Sequence, residues 1–596
     1  MEVNTKTIVE LFSEPNFQFI TPVYQRNYAW EESTYHELFI DLVDLIPDDL
    51  RNQNVQKSYF LGTLILKETE SEKVRSNWII DGQQRLTTFF ILICAIKDCF
   101  KDHPGIVDWC NSLLLNQAME DEHQIPKLKL KLVKTDNDVL ESILKLRNRP
   151  KSRLDDDEQF SKLQNVMDDY CSYVQDEFFS AGQPNNEKMQ YFIDFVLKRI
   201  QVVQVLMGTG RKQEENEQEI FDRINATGTP LTFRELLCNF LLMGNTSYNE
   251  MDELYRSKWL RLENLLDNDK KELDEFLNVF FATKFSVAYS SGSHDAKSHK
   301  HNITYSSFKN WYSNEVAPRF SDECDGKKYV FDELLKFCNY YLIMTGNDLN
   351  SSLVNYEGMC SLLWLNMLHQ TIYYPLVLKL MEDLDQKNIT NETFNTIVAY
   401  LLNYLVRISL LPDQKGLNSL FLGIYRKAIG KDMINNATCF KKIKELFNDI
   451  GKYEFVSDAN FKHDLHHNPV SDNLALTLLL ICHYGLYPTS LNLISSSGIK
   501  VINIFPVTEH SLISYEMEKT LPNKAISKEN LLGKNYQEKM HILLSGDFKD
   551  LYLNLPETCN DFNEDVIKKY LDQQFNFLWQ IIANIFNCNP DVTASD

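Results

Sequence analysis

At 596 residues the chain is too long for one ordinary core, and length alone predicts about three to five domains. An apolar share of 44% and an aromatic share of 12% describe a folded protein and exclude a disordered one. A formal charge of −22 excludes a uniformly basic nucleic-acid coat, so any contact with DNA or RNA must be local.

The 12 cysteines are scattered, with no Cys-x-x-Cys pair, and the first residues carry no basic segment followed by an apolar one. No apolar run approaches the ~20 residues that cross a bilayer. A reduced, cytoplasmic protein is the expectation.

In chain order, residues 3–13 predict a short amphipathic helix. The stretch Pro22-Val-Tyr24-Gln25-Arg26-Asn27-Tyr28-Ala-Trp30 suits neither a helix nor a central strand and predicts a loop held against another element. Tyr24, Tyr28 and Trp30 offer flat faces to a base or a guanidinium, or else pack a domain entrance. Helical spacing follows from Glu31 to Leu45.

Tyr59 to Leu66 reads as a strand interrupted by Gly62, a sign of close approach by a backbone or ligand. A polar turn joins it to a second strand ending at Ile80, and the hairpin feeds Asp81-Gly82-Gln83-Gln84-Arg85-Leu86-Thr87. Asp81-Gly82 predicts a tight turn, and Gln83 onward an apolar helix reaching about Phe100. Such a helix N-terminus presents unpaired N–H groups and the positive end of the dipole. Arg85 adds a guanidinium able to grip a phosphate, flanked by the uncharged donors and acceptors of Gln83 and Gln84.

Lys127, Lys129, Lys131 and Lys134 alternate with leucines, which predicts a strand with one cationic face. A phosphate backbone could lie on it, or it is a solvated edge strand. Ile200 to Met207 predicts another strand. The turn Phe221-Asp-Arg223-Ile-Asn225-Ala-Thr-Gly228-Thr-Pro230-Leu-Thr232 then ends one helix and starts the next, with Thr232 and Glu235 as a capping box. From about 246 to 490 helix follows helix, including one predicted over Leu362 to Leu384. Two histidine groups, one at His294, His299 and His301 and one at His463, His466 and His467, lack the companion spacing of a metal site.

Together, Pro22-x-Tyr24-Gln25-Arg26-x-Tyr28-x-Trp30, Phe60-Leu61-Gly62, Ile80 to Thr88 and Phe221-x-Arg223-Ile224-Asn225-x-x-Gly228-x-Pro230-Leu231 resemble the family catalogued as domain of unknown function 262. This is the domain of GmrSD type IV restriction enzymes and of SspE-like defence proteins. The resemblance implies an α+β protein: a ParB/sulfiredoxin-like nucleotide-binding domain over 1–245, a large helical region over 246–490, and a small α/β domain over 491–596 similar to a ββα-metal (HNH) nuclease. It implies a nucleoside triphosphate with Mg²⁺, hydrolysed in the course of restricting foreign DNA or controlling a partner effector.

Carried onto this chain, the resemblance makes Asp81, Gln84 and Arg85 the catalytic candidates, with Asp81 holding the metal or orienting the attacking water. Tyr24, Gln25, Arg26, Gly82, Gln83, Thr87, Asn225 and Gly228 become the nucleotide contacts. No Walker sequence occurs, so nucleotide chemistry must use this turn. In the C-terminal region, Val501 to Pro506 and Glu529 to Leu532 resemble the nuclease motifs, but Asn503 stands where that family has its histidine. An amide cannot take a proton from water as imidazole does. The expectation at Asn503 and Asn530 is therefore a degenerate nuclease site, unless His510 or His541 substitutes. Two other functions stay open at this point: a complete nucleotide-dependent endonuclease, and a nucleotide-sensing protein without turnover that acts through a protein partner.

Overall fold

The computed structural model describes residues 2–14, 17–47, 49–50, 58–69, 75–120, 126–146, 158–207, 231–243, 248–285, 303–411, 417–428, 438–448, 455–494, 497–505, 515–531, 534–555 and 564–587. They fall into two compact units, Met1–Arg261 with Asp322–Lys328, and Leu262–Ser321 with Tyr329–Asp596. The fold is mixed α+β, with a sheet in the first unit and mainly helices in the second. Among the described residues no helix is long and apolar enough to cross a membrane.

The first unit begins with β1 (Glu2–Thr7), α1 (Ile8–Ser13), β2 (Phe17–Ile20) and α2 (Glu32–Val43), followed by the hairpin of β3 (Tyr59–Thr69) and β4 (Arg75–Asp81). The helices α3 (Gln83–Cys99) and α4 (Pro104–Leu114), the short β5 (Leu130–Lys131) and α5 (Lys134–Ile143) come next. After them lie α6 (Glu158–Phe178), β6 (Ile200–Met207) and α7 (Phe233–Leu242). The six strands make one mixed sheet in the order β1, β6, β3, β4, β2, β5. β3 and β4 pair antiparallel, as the hairpin reading expects, whereas β6 runs parallel to β3 and β2 parallel to β4.

Residues 3–13 are not one helix. The β-branched Val3, Thr5 and Thr7 suit a strand, β1 pairs with β6, and Thr7 caps α1 through a capping box with Glu10. α3 matches its expected span and is buried nearly all round, from Leu86 through Ile96. It lies on the sheet as the spine of one core that includes Phe12, Phe19, Leu64, Leu66 and Ile79. At about 1.5–3 kcal/mol per buried large apolar side chain, this helix is fixed by packing, and so its N-terminus is held rigidly where β4 ends.

The expected cationic strand is also different. Lys127 is exposed in the middle of a short ladder strand, Pro126–Leu128, but Lys129 points inward and is 6% exposed. Its Nζ donates to Phe12 O at 2.5 Å and Ser112 O at 2.8 Å. Lys131 is half-buried in β5, and Lys134 already belongs to α5. Bonds to these two backbone carbonyls hold Lys129 away from solvent, so alternation in the sequence does not become one wet face.

In the second unit the helix predicted over Leu362 to Leu384 is two, Tyr356–Met367 and Tyr374–Asp385. His369 adopts a left-handed φ of 51° between them, and Pro375 occupies the first turn of the second. Near its end, an antiparallel pair of strands, Lys500–Asn503 and Lys524–Ser527, precedes a helix over Tyr536–Ser545.

Candidate functional site

Asp81 is the last residue of β4, and Gly82 turns the chain into α3 with φ +97°. The turn demands glycine twice over. The conformation is left-handed, and a Cβ would lie 2.3 Å from Leu64 Cδ2. No side chain caps α3, and no acidic residue stands in its first turn, so the positive end of the dipole is not answered from within the helix.

Arg85 leans back over this turn. Its Nη2 donates to Asp81 Oδ2 at 2.8 Å, and the two side chains are 24% and 32% exposed. The guanidinium lies against Gly62, where a Cβ would come within 2.3 Å of Arg85 Nη1. The close approach expected at Gly62 is therefore made by Arg85 itself. The ion pair is partly open to water and contributes about 0–1 kcal/mol, so an incoming phosphate can replace the carboxylate at little cost.

The loop from Pro22 to Trp30 is held against this turn. Gln25 Nε2 donates to Ile80 O at 3.2 Å, and Gln83 Nε2 donates to Arg26 O at 2.8 Å. Ala29 N–H donates to Gln84 Oε1 at 2.7 Å, while Gln84 Nε2 faces Asn27 O at 3.4 Å. Both glutamines of the motif thus hold the loop, including Gln84, expected among the catalytic candidates. Among the described residues no hydrogen bond or ion pair engages the half-exposed Arg26 guanidinium.

The aromatic residues of the loop face inward. Tyr24 and Tyr28 are 5% and 3% exposed, and Trp30 packs on the core half-buried. Tyr28 OH lies 2.7 Å from Thr88 Oγ1, whose own hydrogen goes to Gln84 O at 2.8 Å, so the phenol is the donor. The rings of Tyr24 and Tyr28 are packing groups rather than open stacking platforms. Thr87, expected to contact nucleotide, is 1% exposed with its hydroxyl unpaired among the described residues.

Sequence reasoning missed the outer support of the loop. Thr135 Oγ1 donates to Asn27 Oδ1 at 2.8 Å, and Tyr28 N–H donates to Asp136 Oδ2 at 2.7 Å, both from the first turn of α5. Burial pushes the Asp136 carboxyl up to about 7, against the opposing pull of the Tyr28 N–H. Asn239 of α7 also reaches the loop: with its amide turned so that the nitrogen faces the carbonyl, it donates to Tyr24 O at 2.6 Å. α7 is the helix that Thr232 and Glu235 cap as expected, while Asn225 and Gly228 lie outside the described residues.

Mg²⁺ takes oxygen ligands, commonly one or two carboxylates together with substrate phosphates. Asp81 supplies one such carboxylate beside the Arg85 guanidinium, a donor set that fits a metal arriving with phosphate ligands. Among the described residues no group of three or more His, Cys, Asp or Glu side chains is placed to hold a metal. His466 instead pairs with Asp572 at 3.0 Å and stacks on Phe575, and His294, His299 and His301 lie outside the described residues.

In the second unit, Asn503 ends its strand with Nδ2 donating to Glu518 Oε1 at 2.9 Å, and buried Lys539 donates to Asn503 O at 2.8 Å. Asn530 and His541 are exposed, and His510 lies outside the described residues.

Residues 8–242 match the family model described as GmrSD restriction endonuclease, N-terminal domain. No curated protein matches the chain. The matched residues contain every strand of the sheet except β1, together with α3, the Pro22 to Trp30 loop and α7.

Proposed function

We propose that this chain, whose residues 8–242 match the family model described as GmrSD restriction endonuclease, N-terminal domain, is a restriction-type defence protein that binds a nucleoside triphosphate at the Asp81–Arg85 turn and hydrolyses it. The observation that carries the reading is the Arg85 guanidinium, seated over Gly62 at an uncapped helix N-terminus with only a weak ion pair to displace.

Arg85 grips a phosphate and stabilises the charge that develops as the terminal phosphoryl group departs. Arg26, on the loop tied to the same turn, supplies a second cation. Once Arg85 turns to phosphate, the Asp81 carboxylate is released to hold Mg²⁺ or to orient water. Bound there, Mg²⁺ would neutralise phosphate charge and act as a Lewis acid. Gln83 and Gln84 keep the loop and the turn in one geometry. Hydrolysis is coupled to restriction of foreign DNA or to control of a partner effector.

Strand cleavage is assigned to another protein. The side chain at the nuclease-like position, Asn503, donates to Glu518 and has no basic nitrogen with which to activate water.

Phosphate release from nucleoside triphosphates in the presence of Mg²⁺ tests the reading. Arg85→Ala is expected to lower the rate by roughly 10²-fold or more, as loss of a transition-state donor does, and Arg85→Lys to recover only part of it. Equal rates in wild type and Arg85→Ala would remove the turn from the chemistry. Binding without turnover in the wild type would instead favour a nucleotide sensor.

A further inference from the structure

Two first-turn residues of α5, Thr135 and Asp136, lie about 50 positions from the Asp81 turn in sequence, yet they grip the loop that completes it. The loop between Gln25 and Ala29 is held on its inner side by Gln83 and Gln84. On its outer side Thr135 Oγ1 donates to Asn27 Oδ1 at 2.8 Å, and the Asp136 carboxylate accepts the Tyr28 N–H at 2.7 Å. Arg26 sits between these anchored neighbours.

Asp136 is only 2% exposed. Burying a carboxylate is costly, and a neutral side chain could satisfy a single backbone N–H. The start of α5 offsets part of that cost through the helix dipole. A residue that breaks the ordinary rule for cores this far is expected where function demands it.

We propose that Asp136 is a positioning residue for the candidate site: by fixing Tyr28 N–H it holds the Gln25–Arg26 segment against the Asp81 turn and so sets the placement of the Arg26 guanidinium. The proposal rests on the nucleotide reading for its ligand but not for its geometry. Asp136 acts through the loop and touches no substrate.

The test uses the full chain and the variants Asp136→Ala and Asp136→Asn. Asparagine keeps an oxygen able to accept the Tyr28 N–H, and alanine does not. Two measurements are made on each: hydrogen exchange of peptides covering residues 22–31 and 83–99, and the dissociation constant for a nucleoside triphosphate with Mg²⁺. In Asp136→Ala, exchange of the 22–31 peptide is expected to rise roughly tenfold with the 83–99 peptide unchanged, as follows from losing one buried hydrogen bond. Nucleotide affinity is expected to fall by a similar factor, and Asp136→Asn is expected to restore most of both.

Unchanged exchange of 22–31 in Asp136→Ala would overturn the proposal. So would faster exchange with unaltered nucleotide affinity, or an Asp136→Asn variant as impaired as Asp136→Ala. If both variants also loosen 83–99, Asp136 serves the core as a whole and the proposal fails. A wild type that binds no nucleotide would sink the functional reading instead, with the exchange data still deciding whether Asp136 holds the loop.

Discussion

At Gly62 one missing Cβ decides where a charge sits. With φ +121° the residue is in a conformation that side-chain-bearing residues rarely adopt, and the vacant position is filled by the Arg85 guanidinium. In Gly62→Ala the new methyl would meet Nη1 at 2.3 Å, so the flexible arginine must swing away. Backbone strain adds about 1–3 kcal/mol of destabilisation, measurable by urea denaturation. Phosphate release should fall as well, and the double variant separates the two effects. If Gly62 matters to the site by seating Arg85, Gly62→Ala has no further effect on turnover in an Arg85→Ala background. Additive losses would mean that Gly62 acts through the fold alone. The sequence signalled a close approach at this glycine, but could not say that the approaching group was a residue of the same motif, because that depends on the register between β3 and the start of α3.

At the level of elements, what could be read locally was read well. The apolar run of α3, its glycine turn, the β3–β4 hairpin, the strand Ile200–Met207 and the capping box at Thr232 all rest on patterns within one turn or one strand. What depended on distant partners was not legible. Residues 3–13 have helical spacing, but only Ile8–Ser13 forms a helix, and the residues up to Thr7 become β1 because they pair with the edge of β6. The 127–134 alternation suggested one cationic face, yet Lys129 turns inward because Phe12 O and Ser112 O lie within reach. This makes a prediction that contrasts neighbouring lysines. Lys129→Ala removes the bonds to Phe12 O and Ser112 O from a buried side-chain position and should destabilise the first unit by about 2–4 kcal/mol in urea melts. Lys127→Ala, on the exposed side, should stay within about 0.5 kcal/mol. Similar losses for both would show that Lys129 is not buried in solution, and would return it to the surface where a phosphate backbone could reach it.

For the whole molecule, the candidate site draws only on the first unit, and the second unit has its own organising charge. Arg407, on the helix Asn391–Ile408, is 1% exposed. Its Nε donates to Asn403 Oδ1 at 2.7 Å and its Nη1 to Val456 O at 2.7 Å. Its Nη2 donates to Asp458 Oδ1 at 2.6 Å and also to Phe586 O. The guanidinium plane lies over the rings of Phe455 and Phe461, with centroids at 5.0 and 4.5 Å. One side chain thereby ties the helix Asn391–Ile408 to the start of the helix Asp458–His467 and to the end of the helix Glu564–Ile585. Among the described residues its ion-pair partner is Asp458, which is 49% exposed, so most of its value comes from two backbone carbonyls, an amide and two aromatic faces. Arg407→Ala removes all of these and opens a cavity, and a loss of about 3–5 kcal/mol is expected. Arg407→Lys keeps a charge without the fork that reaches four acceptors, and is expected to recover only part of the loss. Hydrogen exchange checks this directly: peptides from all three helices should lose protection together in Arg407→Ala. Faster exchange in the 391–408 helix alone would reduce Arg407 to a local contact, and unchanged exchange in all three would show that the helices are held without it.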